Sequence, residues 1–121
     1  MKLTPAEEQL MQFVWKHKKV VLKDLIESYE NPKPAKTTVA TTIKKLIDKK
    51  YVGYEEIGST RLYYPMVKKE NYFSKQMKNM IHQFFDNSTS NFASFFAKEA
   101  KLTKEELQNL RDLIDDELKN K

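Results

Sequence analysis

Residues 36–67 read KTTVATTIKKLIDKK and then YVGYEEIGSTRLYYPMV. At about 100° per residue the first fifteen wind into one helix with two unlike sides. Val39, Ile43, Leu46 and Ile47 gather on one, and Thr37, Thr38, Thr41, Lys44 and Lys45 on the other. The next seventeen change period. Segments 51–57 and 61–67 are aromatic and β-branched, and Gly58-Ser59-Thr60 lies between them as a turn, which predicts a β-hairpin directly behind the helix.

Upstream, Thr4-Pro5-Ala6-Glu7 is a helix start: Thr4 caps, Pro5 suits the first helical position, and Glu7 completes a capping box. Leu3, Ala6, Leu10, Phe13, Val14 and His17 mark the expected buried face of a helix over 5–17. A short β-prone stretch at 20–22 precedes a second helix at about 23–30, with Leu25, Ile26 and Tyr29 inward. Asn31-Pro32-Lys33-Pro34 must break that helix, because each Pro lacks an N–H and restrains its predecessor. Helix, short strand, helix, turn, helix, hairpin is the order of a winged helix-turn-helix domain. In that fold the third helix enters the major groove and the hairpin, or wing, lies beside the backbone.

Residues 70–121 are expected to be wholly helical, so the fold class is mainly α: a winged helix over 1–69, then a helical extension. A broad apolar stripe predicts a helix over 70–86, interrupted by Asp86-Asn87-Ser88-Thr89. A short helix around 92–100 follows. Thr103-Lys104-Glu105-Glu106 is a second capping box, opening a helix over 104–118 with Leu107, Leu110, Ile114 and Leu118 on one side. About 50 residues with this many aromatics cannot bury them alone. Self-association into a two-fold dimer through Phe73, Met77, Met80, Ile81, Phe84, Phe92, Phe95, Phe96, Leu107, Leu110 and Ile114 solves the problem. Packing back onto the winged helix is the other solution.

Charge follows the same division. The net charge is +5. Residues 1–70 hold fourteen Lys/Arg against nine Asp/Glu, whereas 71–121 hold eight of each. A basic first part joined to a neutral second part suits a nucleic-acid-binding module with an appended partner. The same excess is also compatible with a lysine-rich solvated surface.

The DNA-contact candidates are Lys36, Thr37, Thr38, Thr41, Lys44 and Lys45 on the third helix and Arg61 in the wing. Thr reaches base edges and phosphates, Lys neutralises phosphate, and the helix start adds backbone N–H groups and a positive dipole end. Arg61 is the only arginine in the basic part. Tyr63 and Tyr64 alternate faces, so one belongs to the core. Glu55 and Glu56 on the opposing strand oppose deep insertion of the wing.

Other chemistries find little support. There is no Cys, which excludes disulfides and thiolate metal sites and suits a cytoplasmic location. No metal site or cofactor is expected, since His17 and His82 stand 65 positions apart. Two glycines leave no phosphate-cradling loop, no Ser-His-Asp spacing is visible, and the acidic pairs sit at helix starts or on polar faces, so no enzyme is expected. No apolar run reaches the roughly 18 residues of a membrane span, and the helix-like, acidic start is no secretory signal. The contrasting hypothesis to DNA binding is a winged helix used as a protein-interaction adaptor. That reading calls for an apolar or acidic third-helix face.

Four segments carry a resemblance to the BlaI/MecI family of bacterial repressors. They are Leu3-Thr4-Pro5-Ala6-Glu7 through Val14-Trp15, Lys36-Thr37-Thr38-Val39 through Lys45-Leu46, Arg61-Leu62-Tyr63-Tyr64-Pro65, and Leu102-Thr103-Lys104-Glu105-Glu106-Leu107. Their order and spacing match over essentially the whole sequence. The resemblance implies a homodimer on a palindromic double-stranded DNA operator, repressing downstream genes that in the best-known members confer β-lactam resistance. It also implies induction through a membrane sensor-protease pathway that leads to repressor cleavage at an Asn-Phe bond. A gapless comparison puts Phe95-Phe96 at that bond, replacing the Asn, while Asn91-Phe92 reproduces the dipeptide one turn earlier. Simple packing in a dimer core is the favoured account of both pairs over a protease site. Ala40 stands where a well-known relative has Arg, so base readout differs there. The copper-responsive branch uses C-terminal cysteines, which this sequence lacks.

Overall fold

Thr4 caps the first helix as its sequence requires: its hydroxyl accepts from the Glu7 N–H, and the Glu7 carboxylate accepts from the Thr4 N–H at 2.8 Å. The computed structural model describes residues 2–121. Six helices and one hairpin follow in order: α1 (Pro5–His17), α2 (Leu22–Ser28), α3 (Lys36–Asp48), β1 (Val52–Ile57), β2 (Thr60–Pro65), α4 (Lys69–Phe84), α5 (Thr89–Glu99) and α6 (Lys104–Lys119). The chain divides into two compact units, one through Gln76 and the other Met77–Lys121.

The first unit has one apolar core. Leu3, Leu10, Met11 and Val14 from the α1 region meet Leu25 of α2, Val39, Ile43 and Leu46 of α3, and Val52 and Tyr63 of the hairpin. The α1 face differs from the expected one. Ala6 and His17 are exposed, and Glu7 and Met11 are buried instead. Glu7 is only 2% exposed because its carboxylate meets the Lys49 ammonium at 2.6 Å. Burial pushes its pKa up, but the hydrogen bonds from Lys49 and Thr4 outweigh this and hold it below its ordinary range. The pair ties the first turn of α1 to the C-terminal end of α3.

Helix ends also shifted by short-range geometry. α3 stops at Asp48 rather than running to 50, because Lys50 turns left-handed (φ 66°). The Tyr51 N–H then bonds the Leu46 carbonyl and the Lys50 N–H that of Ile47, a Schellman closure. The β-prone stretch contributes a single bridge, in which Val20 and Tyr63 exchange both backbone hydrogen bonds at 2.9 and 2.7 Å. Leu22 already belongs to α2.

β1 and β2 pair antiparallel from Val52↔Pro65 to Ile57↔Thr60, leaving Gly58-Ser59 as the loop and drawing Thr60 into the strand. Gly58 has φ 65°, the positive value that the first central position of a two-residue type II′ loop demands. Gly53 faces Tyr64, whose ring lies 2.8 Å from where a Cβ would stand. The missing side chain lets that ring lie across β1.

The first turns of α4 close the unit. The Tyr72 hydroxyl accepts from the Leu3 N–H at 3.1 Å and donates to Glu8 at 2.6 Å, and the Trp15 indole N–H donates to the Val67 carbonyl at 2.8 Å. Burial, then the Glu8 carboxylate, push the Tyr72 phenol up to about 12 despite the Leu3 N–H. In the second unit, Ser88 caps α5, and Thr103 with Glu106 forms the expected capping box of α6. Phe85 packs edge-on to Phe92, which stacks on Phe96.

Candidate nucleic-acid interface

α3 buries Val39, Ile43 and Leu46 and exposes Lys36, Thr37, Thr38, Thr41, Lys44 and Lys45 together. The six helical candidates therefore share an accessible surface, with Asp48 joining them as its one acidic member. Two threonine hydroxyls are engaged along the helix: Thr41 donates to the Thr37 carbonyl at 2.8 Å and Thr42 to that of Thr38 at 3.0 Å. Ala35 occupies the N-cap and makes no side-chain hydrogen bond, so the first-turn amides of α3 have no side-chain acceptor there.

The wing supplies a second wall. Tyr54, Glu56, Arg61 and Tyr63 fall on one face of the hairpin by strand alternation, and Tyr63 is buried while Tyr64 is half-buried. An open cleft of about 310 Å³ separates that face from α3, lined by Ala40, Lys44, Asp48, Tyr54 and Arg61 among others. Arg61 also borders a larger opening of about 740 Å³ with Lys23, Lys36, Ser59 and Thr60. Arg61 is the one basic side chain common to both clefts, the first adding Lys44 and the second Lys23 and Lys36.

Arg61 itself is held. Its guanidinium carbon sits 4.4 Å from the centre of the Tyr54 ring, and its Nε is 3.6 Å from the Glu56 carboxylate directly across the ladder. Glu55 points to the other face and pairs with Lys19 at 3.1 Å. Sequence reasoning singled out neither Lys23 nor Tyr54. Strand alternation puts Tyr54 on the face of Arg61 once the register is known, whereas a lone lysine at the start of α2 gives no signal.

In the second unit, Met77, Met80, Phe84, Phe95, Phe96, Leu107 and Ile114 are exposed, while Ile81, Phe92 and Leu110 are half-buried. Leu113 and Leu118 extend the apolar face of α6 and are 63% and 67% exposed. Phe73 lies in the first unit, against Trp15 and Tyr72. Asn91-Phe92 and Phe95-Phe96 are both inside α5, the first pair in its opening turn. Among the described residues no cluster of three or more His, Asp or Glu can hold a metal ion, and no helix is long and apolar enough to cross a membrane.

Three helices closed by a hairpin, with a hydroxyl-and-lysine face on the third, define a winged helix-turn-helix protein. A solved transcriptional regulator, SlyA, supports the fold: 98% of this chain superposes on 76% of that one with a TM-score of 0.51 at 20% identity. The oxidised form of MarR from E. coli covers 97% of this chain and 76% of its own, with a TM-score of 0.49 and 15% identity. The penicillinase repressor family model matches residues 3–116, and the chain belongs to that family. The resemblance read from the four segments is therefore sound. The penicillinase repressor of Staphylococcus aureus is 21% identical over 117 residues, which cover 96% of this chain and 93% of that protein.

Proposed function

We propose that the protein is a cytoplasmic homodimer that binds a palindromic DNA operator and represses the genes beside it. The observation that carries this reading is the shared exposure of Lys36, Thr37, Thr38, Thr41, Lys44 and Lys45 on the third helix of a winged helix. That face is neither apolar nor acidic, as an adaptor surface would require. Its charge suits phosphate, its hydroxyls suit base edges, and membership of a repressor family supplies the regulatory role. Exposed Met77, Phe84, Leu107 and Ile114 favour pairing through the helical extension. In such a dimer two copies of α3 about 34 Å apart meet successive major grooves on one side of the duplex.

Induction by cleavage is part of the same proposal. Both candidate bonds lie within α5, so a protease must first unwind it, and at Asn91-Phe92 it must also break the Ser88 cap on the Asn91 N–H.

The test combines gel filtration with DNA binding followed over a range of salt. A dimer whose affinity falls steeply with salt is expected, each phosphate contact adding about 0.9 to the log–log slope. Lys44→Ala should weaken all sequences alike and lower that slope. Thr41→Ala should change sequence preference more than overall affinity, and equal losses on operator and random DNA would remove Thr41 from the base-reading set. A monomer without salt-dependent affinity defeats the proposal.

A further inference from the structure

Lys36, Lys44 and Lys45 on α3 are exposed and make no side-chain hydrogen bond or ion pair among the described residues, whereas Arg61 is engaged. Its guanidinium lies over the Tyr54 ring and beside the Glu56 carboxylate, and it lines one cleft with Lys36 and another with Lys44. An arginine on a hairpin tip has several rotatable bonds and loses their freedom when it binds phosphate. An aromatic face and a carboxylate across the ladder remove much of that freedom beforehand. The two neighbours act in opposite senses once DNA arrives. The Tyr54 ring can keep its contact while the N–H fork turns to phosphate, whereas Glu56 must surrender the charge.

We infer that Tyr54 and Glu56 are positioning residues for Arg61, with Tyr54 holding it for a DNA phosphate and Glu56 competing with that phosphate for it. The inference rests on the DNA-binding reading above. Glu56 then sets a ceiling on wing affinity that is independent of base sequence, which leaves discrimination to α3. Tyr54 contributes by orienting the arginine rather than by touching DNA.

The experiment measures the full chain and its variants on a fluorescent random-sequence duplex of about three turns, by anisotropy across a salt series. Glu56→Gln should tighten binding about two- to fivefold at low salt, the range spanned by exposed ion pairs. In an Arg61→Ala background the same change should give no gain, which separates release of Arg61 from a general loss of negative charge. Glu55→Gln, on the opposite face, should gain less than Glu56→Gln. Tyr54→Leu should weaken binding about two- to fivefold and Tyr54→Phe should restore it, because the ring rather than the hydroxyl carries the contact. Circular dichroism confirms that each variant is folded. Equal gains from Glu55→Gln and Glu56→Gln, or a Glu56→Gln gain that persists without Arg61, overturn the inference while the DNA-binding reading stands. A wild-type chain with no salt-dependent affinity overturns both.

Discussion

Glu7 keeps its charge with almost no water around it because Lys49 and Thr4 supply the solvation. Lys49 is a quarter exposed, so the two partners are unequal: Lys49 can find water when Glu7 is removed, but Glu7 cannot when Lys49 is removed. Lys49→Met should therefore cost about 2–3 kcal/mol and Glu7→Gln about 1–2 kcal/mol in urea unfolding at neutral pH. The depressed pKa gives the pH sign. The pair's contribution is present above the ordinary carboxylate range and disappears as pH falls through the lowered folded value. Glu7→Gln should accordingly flatten the acid limb of the stability curve. Tyr72 works in the other direction. Its folded pKa is raised to about 12, so its contribution is intact below the unfolded phenol value and is lost as pH climbs towards the folded one. Alkaline unfolding of Tyr72→Phe should lack that component. Tyr72 belongs to the apolar stripe that predicts the helix over 70–86, but no periodicity could anticipate the burial of Glu7. A glutamate on a helix reads as polar surface, and its partner stands 42 positions away.

At the scale of elements, caps and periods were readable and closures were not. The start of α1 and the capping box of α6 follow from Thr-x-x-Glu spacing, and the α3 face follows from its apolar repeat. The end of α3 depends on Lys50 adopting a left-handed backbone, for which lysine offers no signal. Replacing it with the residue that fits, Lys50→Gly, should raise stability by about 0.5–1 kcal/mol, measured by thermal or urea unfolding. The hairpin was legible as two strands, but its faces needed the register. That register puts Arg61 opposite Glu56 and makes Gly53 a seat for the Tyr64 ring. Gly53→Val should push the ring away and cost about 1–3 kcal/mol, the range of overpacking substitutions. Its DNA affinity should fall with it if the wing contributes contacts.

For the whole molecule, the first unit buries an apolar core of its own, with Ile57 and Met66 left exposed, whereas the second buries no side chain fully. The winged helix buries a continuous core, whereas α4, α5 and α6 leave large side chains in water. Phe84 and Leu118 are each about 70% exposed in the single chain, an arrangement a soluble monomer rarely tolerates across so many positions. Placing charge on this surface with Ile114→Glu should convert the proposed dimer to a monomer by sedimentation or light scattering. Loss of paired half-site binding should follow, while the first unit keeps its fold. The exposed α3 face was thus readable from the helix period, and the surplus hydrophobicity of the second unit from its apolar repeats. The clefts beside the wing were not readable, because they arise from elements that meet only in three dimensions.

Thr41 carries a consequence for the operator itself. Its hydroxyl proton is spent on the Thr37 carbonyl, so outwardly the side chain has lone pairs and a methyl group but no hydrogen to give. Guanine shows only acceptors in the major groove, whereas adenine and cytosine offer an amino donor and thymine a methyl. In the proposed DNA-bound state, and while that internal bond holds, the base facing Thr41 is read by subtraction. In a selection from randomised duplexes, guanine should be depleted at one position of each half-site, and Thr41→Val should keep thymine while losing the preference for adenine or cytosine.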